Sequence, residues 1–559
     1  MPSMPKNEIL IPTSYTARFK ELLEVRGFTT PEEISLFLYP HLKNLFDPLL
    51  LKGVREACFL LREALVKKEK VFIHGDYDVD GITGSAIMSR TLTVLGVEHE
   101  VFLPHRAEDG YGVSSQAIIE AAERGFKILM TVDCGVTAKE QLDLAKSKGM
   151  LTIVIDHHKI PETGLPDANA LINPFQEECH YPFDELSAGG LAFKLSQALL
   201  GERAYAYLDL AAVSTVCDVA PIKSENRILV AMGLKLLSKG TSLGFSAIAE
   251  VAKLKQQMIN VGHIGFTFGP RINAAGRMSS PLMALRLLLS DNPRETLSLA
   301  TALDEENKAR QKEEKQLIKE AIADVERTMN FNQDRVIVVG KEGWHQGIIG
   351  IVAARLVEKF HRPAIVIAIE NGIGKGSGRS IKNFDLYQAM KSCEDLFQKF
   401  GGHPQAAGLS MDATKIDALR KKINDYARET THADDYIKKQ NSDLEITLSE
   451  INEPFLRELE LLEPHGMGNP RPVFYSRELT IKTTPLKYGP QSLSFHVMDQ
   501  HHTYDVNWYI RDAETMRERS SDLKKGLVIN LYYHIKQKTW QGADRISLDA
   551  KDFEEVSST

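Results

Sequence analysis

Cysteine is scarce in this chain. Its five copies in 559 residues, Cys58, Cys134, Cys179, Cys217 and Cys393, are scattered without a CxxC pair, so neither a disulfide framework nor a thiolate zinc cluster is expected. Long apolar runs are missing too. No stretch approaches the roughly 20 residues of a membrane-spanning helix, and the opening MPSMPKNEILIPTSY lacks a basic segment followed by an apolar one. A cytoplasmic protein is expected. Positive charge is not in excess either: 68 Lys and Arg against 75 Asp and Glu give a formal net charge of −7. That balance argues against a coat protein gripping nucleic acid through a broad basic face, and leaves a local basic groove open. It also suits a carboxylate site whose bound cations the formal count omits. Internal repeats and long low-complexity segments are absent.

What remains is an ordinary globular composition, 43% hydrophobic and 26% charged, over a length that suggests three or four compact units. A polar, proline-containing leader is expected over 1–49. Residues 50–225 alternate the apolar runs VFIHGD, HEVFLP, KILMTVD and LTIVID with stretches of helical period and Gly-marked turns, the rhythm of an α/β unit with a mainly parallel sheet. Residues 226–330 read as helical. They end in RETLSLATALDEENKARQKEEKQLIKEAIADVERTMN, which contains no Gly or Pro and is expected to be one long, largely solvated connector helix. Its charge runs are read as a solvated face rather than a nucleic-acid patch. A second α/β unit follows over 331–435, with strands RVIVVG and AIVIAIE and Gly-rich turns GIGKGSGRS and FGGHPQAAG. From 436 to 559, short runs such as SLSFHVMD, YDVNWYI and LVINLYYHIKQ predict a small β-barrel. The expected fold class is α/β: two α/β domains joined by a long helix, plus a C-terminal barrel.

The chemistry gathers at the ends of the apolar runs, the edge of an open α/β sheet where ligands bind. In HGDYDVDGITG, an extended chain would project His74, Asp76, Asp78 and Asp80 to one side. Ionised carboxylates about 4 Å apart at an effective dielectric of about 20 repel by about 4 kcal/mol per pair, so they need a cation or must bind protons. Asp133 closes KILMTVD; Asp156, His157 and His158 close LTIVIDHH; Asp218 follows a helical stretch in STVCDVAP. Alone, Asp133 reads as a helix N-cap and Asp218 as a turn residue. Recurrence at one sheet edge reverses those readings. Carboxylate and imidazole without thiolate suit Mn²⁺, leave Mg²⁺ open and give little reason to choose structural zinc. Two such ions about 3.5–4 Å apart are the standard arrangement for phosphoester hydrolysis.

The motifs HGDYDVDG, TVDCGV, IDHH and CDVAP, in this order and spacing, resemble the DHH phosphoesterases. PHRAEDGYG, GPRINAAGRM, HQGIIGIVAARL, GSGRS and GGHPQAAGL resemble one branch of them, the RecJ exonucleases. The resemblance runs from about residue 50 to 480. It implies DHH and DHHA1 types for the two α/β domains, an oligonucleotide-binding (OB) type for the barrel, and a 5′→3′ exonuclease that releases mononucleotides from single-stranded DNA in repair and recombination. One ion would be held by His74, Asp78 and Asp133, the other by Asp80, Asp133, His157 and Asp218, with Asp133 as the bridge. Asp80, Asp133 and His158 would carry the catalysis. Neighbours in an extended segment point apart, which leaves His158 to donate to a phosphate oxygen or help the leaving group. Asp76 and Asp156 are expected to orient ligands.

By the same resemblance Arg106 is a phosphate contact, Tyr111 an aromatic stop for a base, and Ser377 with Arg379 the 5′-phosphate site. His403 is expected to face the same cleft. Arg271, Asn273 and Arg277 either line the path of the strand or make structural hydrogen bonds. In the barrel, Tyr488, Phe495, Trp508, Tyr532, Tyr533 and Trp540 are stacking candidates, most of them expected in the core. The expected partners are a single-strand-binding protein and a RecQ-type helicase, and the expected state is a monomer. Two other readings stay open: a DHH phosphodiesterase for short oligonucleotides or dinucleotides, and a non-catalytic DNA-binding scaffold. The long helix and the barrel favour a polymer substrate, and the full ligand set speaks against a scaffold.

Overall fold

The computed structural model describes residues 15–105, 112–278, 280–437, 440–521, 523–540 and 543–556. The chain divides into two compact units, one comprising Asp47–Asp218 with Gly233–Lys439, the other Met1–Phe46, Val219–Met232 and Gln440–Thr559. Among the described residues no single helix is long and apolar enough to cross a membrane.

The larger unit carries two sheets. Strands β1 (Val71–Gly75), β2 (His99–Phe102), β3 (Ile128–Val132), β4 (Leu151–Ile155) and β5 (Ala170–Ile172) form a parallel sheet in the order β2-β1-β3-β4-β5. Every residue of β1 and β3 is buried, as expected of parallel strands covered on both faces, which explains why these segments read as continuous apolar runs. Parallel pairing brings the C-terminal ends of β1, β3 and β4 to one edge.

The second sheet is built from β6 (Ile337–Glu342), β7 (Ala364–Glu370), β8 (Ile373–Arg379), β9 (Phe397–His403) and β10 (Ala406–Asp412), in the order β6-β7-β8-β10-β9. Alternation along β8 buries Gly374, Gly376 and Gly378 and turns Lys375, Ser377 and Arg379 to the other face. The inward position is glycine for lack of space: a Cβ on Gly376 would come within 2.7 Å of the Leu409 side chain.

The connector is one helix of 36 residues, Pro293–Thr328, with Pro at its first position and an Asn292 cap accepting from the Arg294 amide at 3.0 Å. It is less solvated than its composition suggests, because Leu303, Leu317, Ala321 and Val325 form a buried seam that also takes in Asp304, Asn307 and Arg310.

The smaller unit is a barrel of β11 (Leu444–Glu445), β12 (Phe474–Ile481), β13 (Leu486–Lys487), β14 (Ser492–Met498), β15 (Thr503–Tyr509), β16 (Val528–Trp540) and β17 (Ala543–Glu555), closed by pairing of β12 with β14. The expectation of a polar leader fails over the described residues 15–46. Helices Ala17–Val25 and Pro31–Leu38 place Phe19, Leu22, Leu23, Phe37 and Leu38 in the barrel's own core. The apolar positions in ARFKELLEV and PEEISLFL have helical spacing, too sparse to stand out beside the polar residues around them.

A buried arginine ties this unit together. The Arg227 guanidinium lies 4.0 Å from the Phe37 ring centroid and donates to the carbonyl oxygens of Phe37, Leu461, Leu462, Glu463 and Pro464. Burial lowers its pKa to about 10, which leaves it charged at neutral pH.

Candidate metal centre

The strand β1 does not stay extended through HGDYDVD. It ends at Gly75, and the chain turns into the helix Val79–Leu95, with Asp78 as N-cap accepting from the amides of Asp80 at 2.9 Å and Gly81 at 3.2 Å. Convergence is therefore achieved by a strand, a turn and a helix N-terminus rather than by alternation along one strand. Asp133 follows β3 directly and sits at φ +64°, a left-handed conformation that costs a non-glycine residue energy and that the surrounding structure must hold.

Asp80 is almost completely buried and fully engaged. Its Oδ2 accepts from the Ala188 amide and its Oδ1 from the Gly189 amide, both at 2.8 Å, and Ser214 Oγ donates to Oδ1 as well. These amides open the helix Ala188–Leu200, whose positive end favours a carboxylate. The approach requires glycine at 189, since a Cβ there would lie 2.4 Å from Ser214 Oγ. Ser214 and the SAGG turn were not singled out in the sequence; a serine followed by two glycines ahead of an apolar run was the available signal.

Three groups of ligand atoms lie within 4.8 Å of one another among the described residues: Asp76, Asp78 and Asp133; Asp80, His157 and Asp218; Asp133, His157 and His158. His157 Nε2 is 3.3 Å from Asp133 Oδ1 and 3.7 Å from Asp80 Oδ2, and its Nδ1 is 3.8 Å from Asp218 Oδ2. Asp133 and His157 each belong to two groups, so the cluster can hold two neighbouring cations. His74 is in none of them. Its ring lies against Phe102 with centroids 5.0 Å apart, and its Nε2 accepts from the Ser114 amide at 3.0 Å. Asp76, expected as an orienting residue, stands among the converging carboxylates instead, because it lies past the end of the strand while His74 is still inside it.

The electrostatics are those of a site built for cations. Burial, then the charge of Asp80, raises the pKa of Asp78 and, more strongly, that of Asp133. Burial with Asp80 and Asp78 pushes Asp218 up to about 8. Burial lowers His157, keeping the neutral, ligating form. His158 behaves oppositely: although burial opposes it, the hydrogen bond to Asp156 raises it to about 9. The Nδ1 of His158 is 2.7 Å from Asp156 Oδ1, and Asp156 is itself fixed by the Val136 amide at 2.8 Å.

Beside this cluster lies an open cleft of about 680 Å³ whose lining includes Tyr77, Arg277, His345, Lys375, Ser377 and Lys399. Arg277 donates to the Gly347 carbonyl at 2.7 Å. Arg379 donates to Ser377 Oγ at 3.2 Å, and the helix Ile349–Phe360 brings Gly350 so near that a Cβ would lie 3.0 Å from that hydroxyl. His403 is exposed and opposite Ala406, which in turn is opposite Arg379. Arg271 and Asn273 have inward roles. Arg271 pairs with Asp304 of the long helix at 2.6 Å, and Asn273 accepts from the Val79 amide at 3.2 Å, bracing the turn that carries Asp78 and Asp80. Arg106 and Tyr111 lie outside the described residues. In the barrel, Phe495, Trp508 and Tyr533 are core, Tyr532 is half-buried, and Tyr488 is 71% exposed; the side chain of Trp540 is outside the described set.

Models of three families match the chain: the DHH family, N-terminal domain, over residues 70–215, the DHHA1 domain over 333–429, and the RecJ OB domain over 442–552. The single-stranded-DNA-specific exonuclease RecJ of Bacillus subtilis (strain 168) is 40% identical over 453 residues, 81% of this chain. That match spans 57% of the relative, little more than half its length. The enzyme of the same name from Dickeya dadantii (strain 3937) is 33% identical over 532 residues, 88% of this chain and 91% of the relative. The crystal structure of Thermus thermophilus RecJ with Mn²⁺ superposes with a TM-score of 0.82 at 29% identity, covering 97% of this chain and 76% of that one, and its Mg²⁺ complex with 0.77 at 28% identity, covering 97% and 75%. With three family models in order along the chain and a relative matched over nine-tenths of its length, this chain belongs to the RecJ family of single-stranded-DNA-specific exonucleases.

Proposed function

We propose that the chain is a metal-dependent exonuclease that hydrolyses single-stranded DNA from its 5′ end and releases mononucleotides. The observation that carries this reading is a run of three contiguous cation-sized groups, the Asp76–Asp78–Asp133 group joined through Asp133, and the Asp80–His157–Asp218 group through His157, to a middle group of Asp133, His157 and His158. Its donors are carboxylate and imidazole, the set that suits Mn²⁺ and accepts Mg²⁺. Burial and mutual repulsion hold several of the carboxyls above their ordinary range, so the cluster is electrostatically incomplete without cations. Asp76, Asp78 and Asp133 would hold one ion; Asp80, Asp133, His157 and Asp218 the other. The bound pair supplies Lewis-acid activation of water and of the phosphodiester.

The protein's own groups do the rest. Asp80, clamped by two amides and a hydroxyl, fixes where one cation sits. His158, held protonated by Asp156, is placed to donate to a phosphate oxygen or to the leaving group. Ser377 and Arg379, beside a helix N-terminus, would bind the terminal phosphate by hydroxyl, guanidinium fork and dipole, and that subsite supports the 5′ polarity. Arg277 contributes a cation along the path. The exposed Tyr488 offers the barrel a stacking surface. Action as a cytoplasmic monomer alongside a single-strand-binding protein and a RecQ-type helicase belongs to the same reading.

End-labelled single strands incubated with Mn²⁺, with Mg²⁺ and with chelator test it. Loss of the 5′ label as mononucleotide, abolished by chelation, is expected; attack from the 3′ end, or preferential turnover of a dinucleotide, rejects it.

A further inference from the structure

The motif GPRINAAGRM folds as the helix Gly269–Met278, and one face of it meets two of the turns that carry ligand carboxylates. Gly269, Asn273 and Gly276 recur at helical spacing, so they share that face over about two turns, or about 10 Å. At both glycines the backbone comes in too near for a side chain. A Cβ on Gly276 would lie 2.5 Å from the Tyr77 carbonyl oxygen, and one on Gly269 would lie 2.6 Å from Cys217 Sγ. Tyr77 directly precedes Asp78, and Cys217 directly precedes Asp218. Between the glycines, Asn273 accepts from the Val79 amide at 3.2 Å. One helix thus braces carboxylates that arrive from two distant parts of the chain.

The C-terminal end of the same helix meets the loop that leads to the terminal-phosphate pair. Arg277 donates to the Gly347 carbonyl at 2.7 Å, and a Cβ on Gly347 would lie 3.2 Å from the Arg277 carbonyl oxygen. Side chain and backbone therefore both hold this loop. Three residues further on, a Cβ on Gly350 would lie 3.0 Å from Ser377 Oγ and 3.3 Å from Arg379 Nη2. From the side, Arg271 pairs with Asp304 of the long helix at 2.6 Å. The closest steps in this path, Gly276 on Tyr77 and Gly347 on Arg277, pack backbone against backbone, where no rotamer change can absorb a displacement.

We propose that the helix Gly269–Met278 is a spacer: it fixes the distance between the terminal-phosphate pair, Ser377 and Arg379, and the metal cluster, so that a strand's terminal phosphate and its scissile phosphodiester are engaged together. Gly276 and Gly347 are its positioning residues, acting through the backbone they let approach. The inference rests on the exonuclease reading above. A substrate held at two points profits from the second only when the spacing matches, and a misplacement of about 1 Å can cost about 100-fold in rate. A shifted spacer should therefore uncouple the terminal phosphate from the chemistry while leaving each site able to bind.

The test compares the full chain as wild type, Gly276→Ala and Gly347→Ala on single strands that differ only in carrying a 5′-phosphate or a 5′-hydroxyl. With Mn²⁺ bound, the wild type is expected to favour the phosphorylated strand in kcat/KM, and each variant to lower that preference at least about tenfold. Binding of the same two strands to chelator-treated protein, followed by fluorescence anisotropy, should keep the wild-type preference in both variants, because the phosphate pair itself is unaltered. An unchanged catalytic preference, an equal loss on both strands, or a binding preference lost along with the catalytic one overturns the spacer. The two glycines lie in separate elements, so if one variant melts far below the wild type the other carries the test. A wild type that attacks neither strand from its 5′ end, or does not distinguish the two ends, overturns the exonuclease reading instead.

Discussion

Asp80 meets the cluster with both oxygens already committed to amides and a hydroxyl, so its geometry is preset before any cation arrives. Asp80→Ala or His157→Ala should therefore abolish Mn²⁺-dependent hydrolysis, by about 1,000-fold or more in kcat, with the circular-dichroism melt and most of the DNA binding retained. Activity within tenfold of wild type would sink the ligand assignment. Asp76 and His74 are separated by a single residue and by opposite expectations. Asp76→Ala should weaken Mn²⁺ binding in calorimetry by at least about tenfold, and His74→Gln by less, acting through packing under Phe102; the reverse order would restore His74 as a ligand. Asp156→Asn should lower kcat by about 10–100-fold through loss of His158 orientation and charge, leaving KM nearly unaltered.

These carboxyls also set a pH dependence. In the folded chain Asp218 keeps its proton up to about 8, whereas an unfolded aspartate releases it near 3.9. The folded state thus binds more protons between those values, and this group's contribution to stability falls as pH rises through that window. The His158–Asp156 pair acts in the same sense at its upper end: the stability it lends is complete below the ordinary histidine pKa of about 6.5 and is lost as pH passes about 9. Metal-stripped protein should melt higher at pH 6 than at pH 8, with a shallower drop in Asp218→Asn. Added Mn²⁺ should raise the melting temperature more at pH 8, where fewer protons must be displaced. An Asp218→Asn melt with the wild-type slope would remove Asp218 from the account.

At the level of elements, the clamp around Arg227 is the contact whose loss should be felt furthest. Replacing it with Met leaves five carbonyls short of a donor in a buried setting, and each such group costs about 1–3 kcal/mol; chemical denaturation should show a loss of at least about 3 kcal/mol in the barrel unit. Which elements were readable follows from how their signals arise. Continuous apolar strands ending in Asp or His marked β1, β3 and β4, and 36 residues without an internal Gly or Pro beyond the first position marked the long helix. The motif HGDYDVDG was legible as a metal site but not as a strand that stops at Gly75, because period-two spacing and a helix N-cap at Asp78 write the same carboxylates. Helices Ala17–Val25 and Pro31–Leu38 were missed since their core partners lie more than 400 residues away. The cleft lining was illegible for a related reason: Lys375 and Lys399 are brought together only through their shared register with Ser410 of β10, which no local pattern encodes.

Over the whole molecule, the metal cluster and its cleft lie within one compact unit, built from residues Asp47–Asp218 and Gly233–Lys439. Ion binding at about 100 times its dissociation constant should stabilise the ion-holding state by about 2.7 kcal/mol. Hydrogen exchange should accordingly slow in the segments around 71–95, 128–158 and 187–218 on adding Mn²⁺, with far smaller changes over β12–β17. Equal protection of the barrel strands would show that the ions stabilise more than the unit that binds them.

The barrel's core is assembled from segments more than 400 residues apart. On the ribosome, at about 5–20 residues per second, roughly half a minute or longer separates the emergence of Phe19 and Phe37 from that of their partners on β16 and β17. The larger unit has all its strands by Asp412 and can fold meanwhile, while two short amphipathic helices wait with their greasy sides uncovered. A nascent chain of this design keeps the apolar faces of residues 17–38 without their core partners until residues beyond Leu444 have been made.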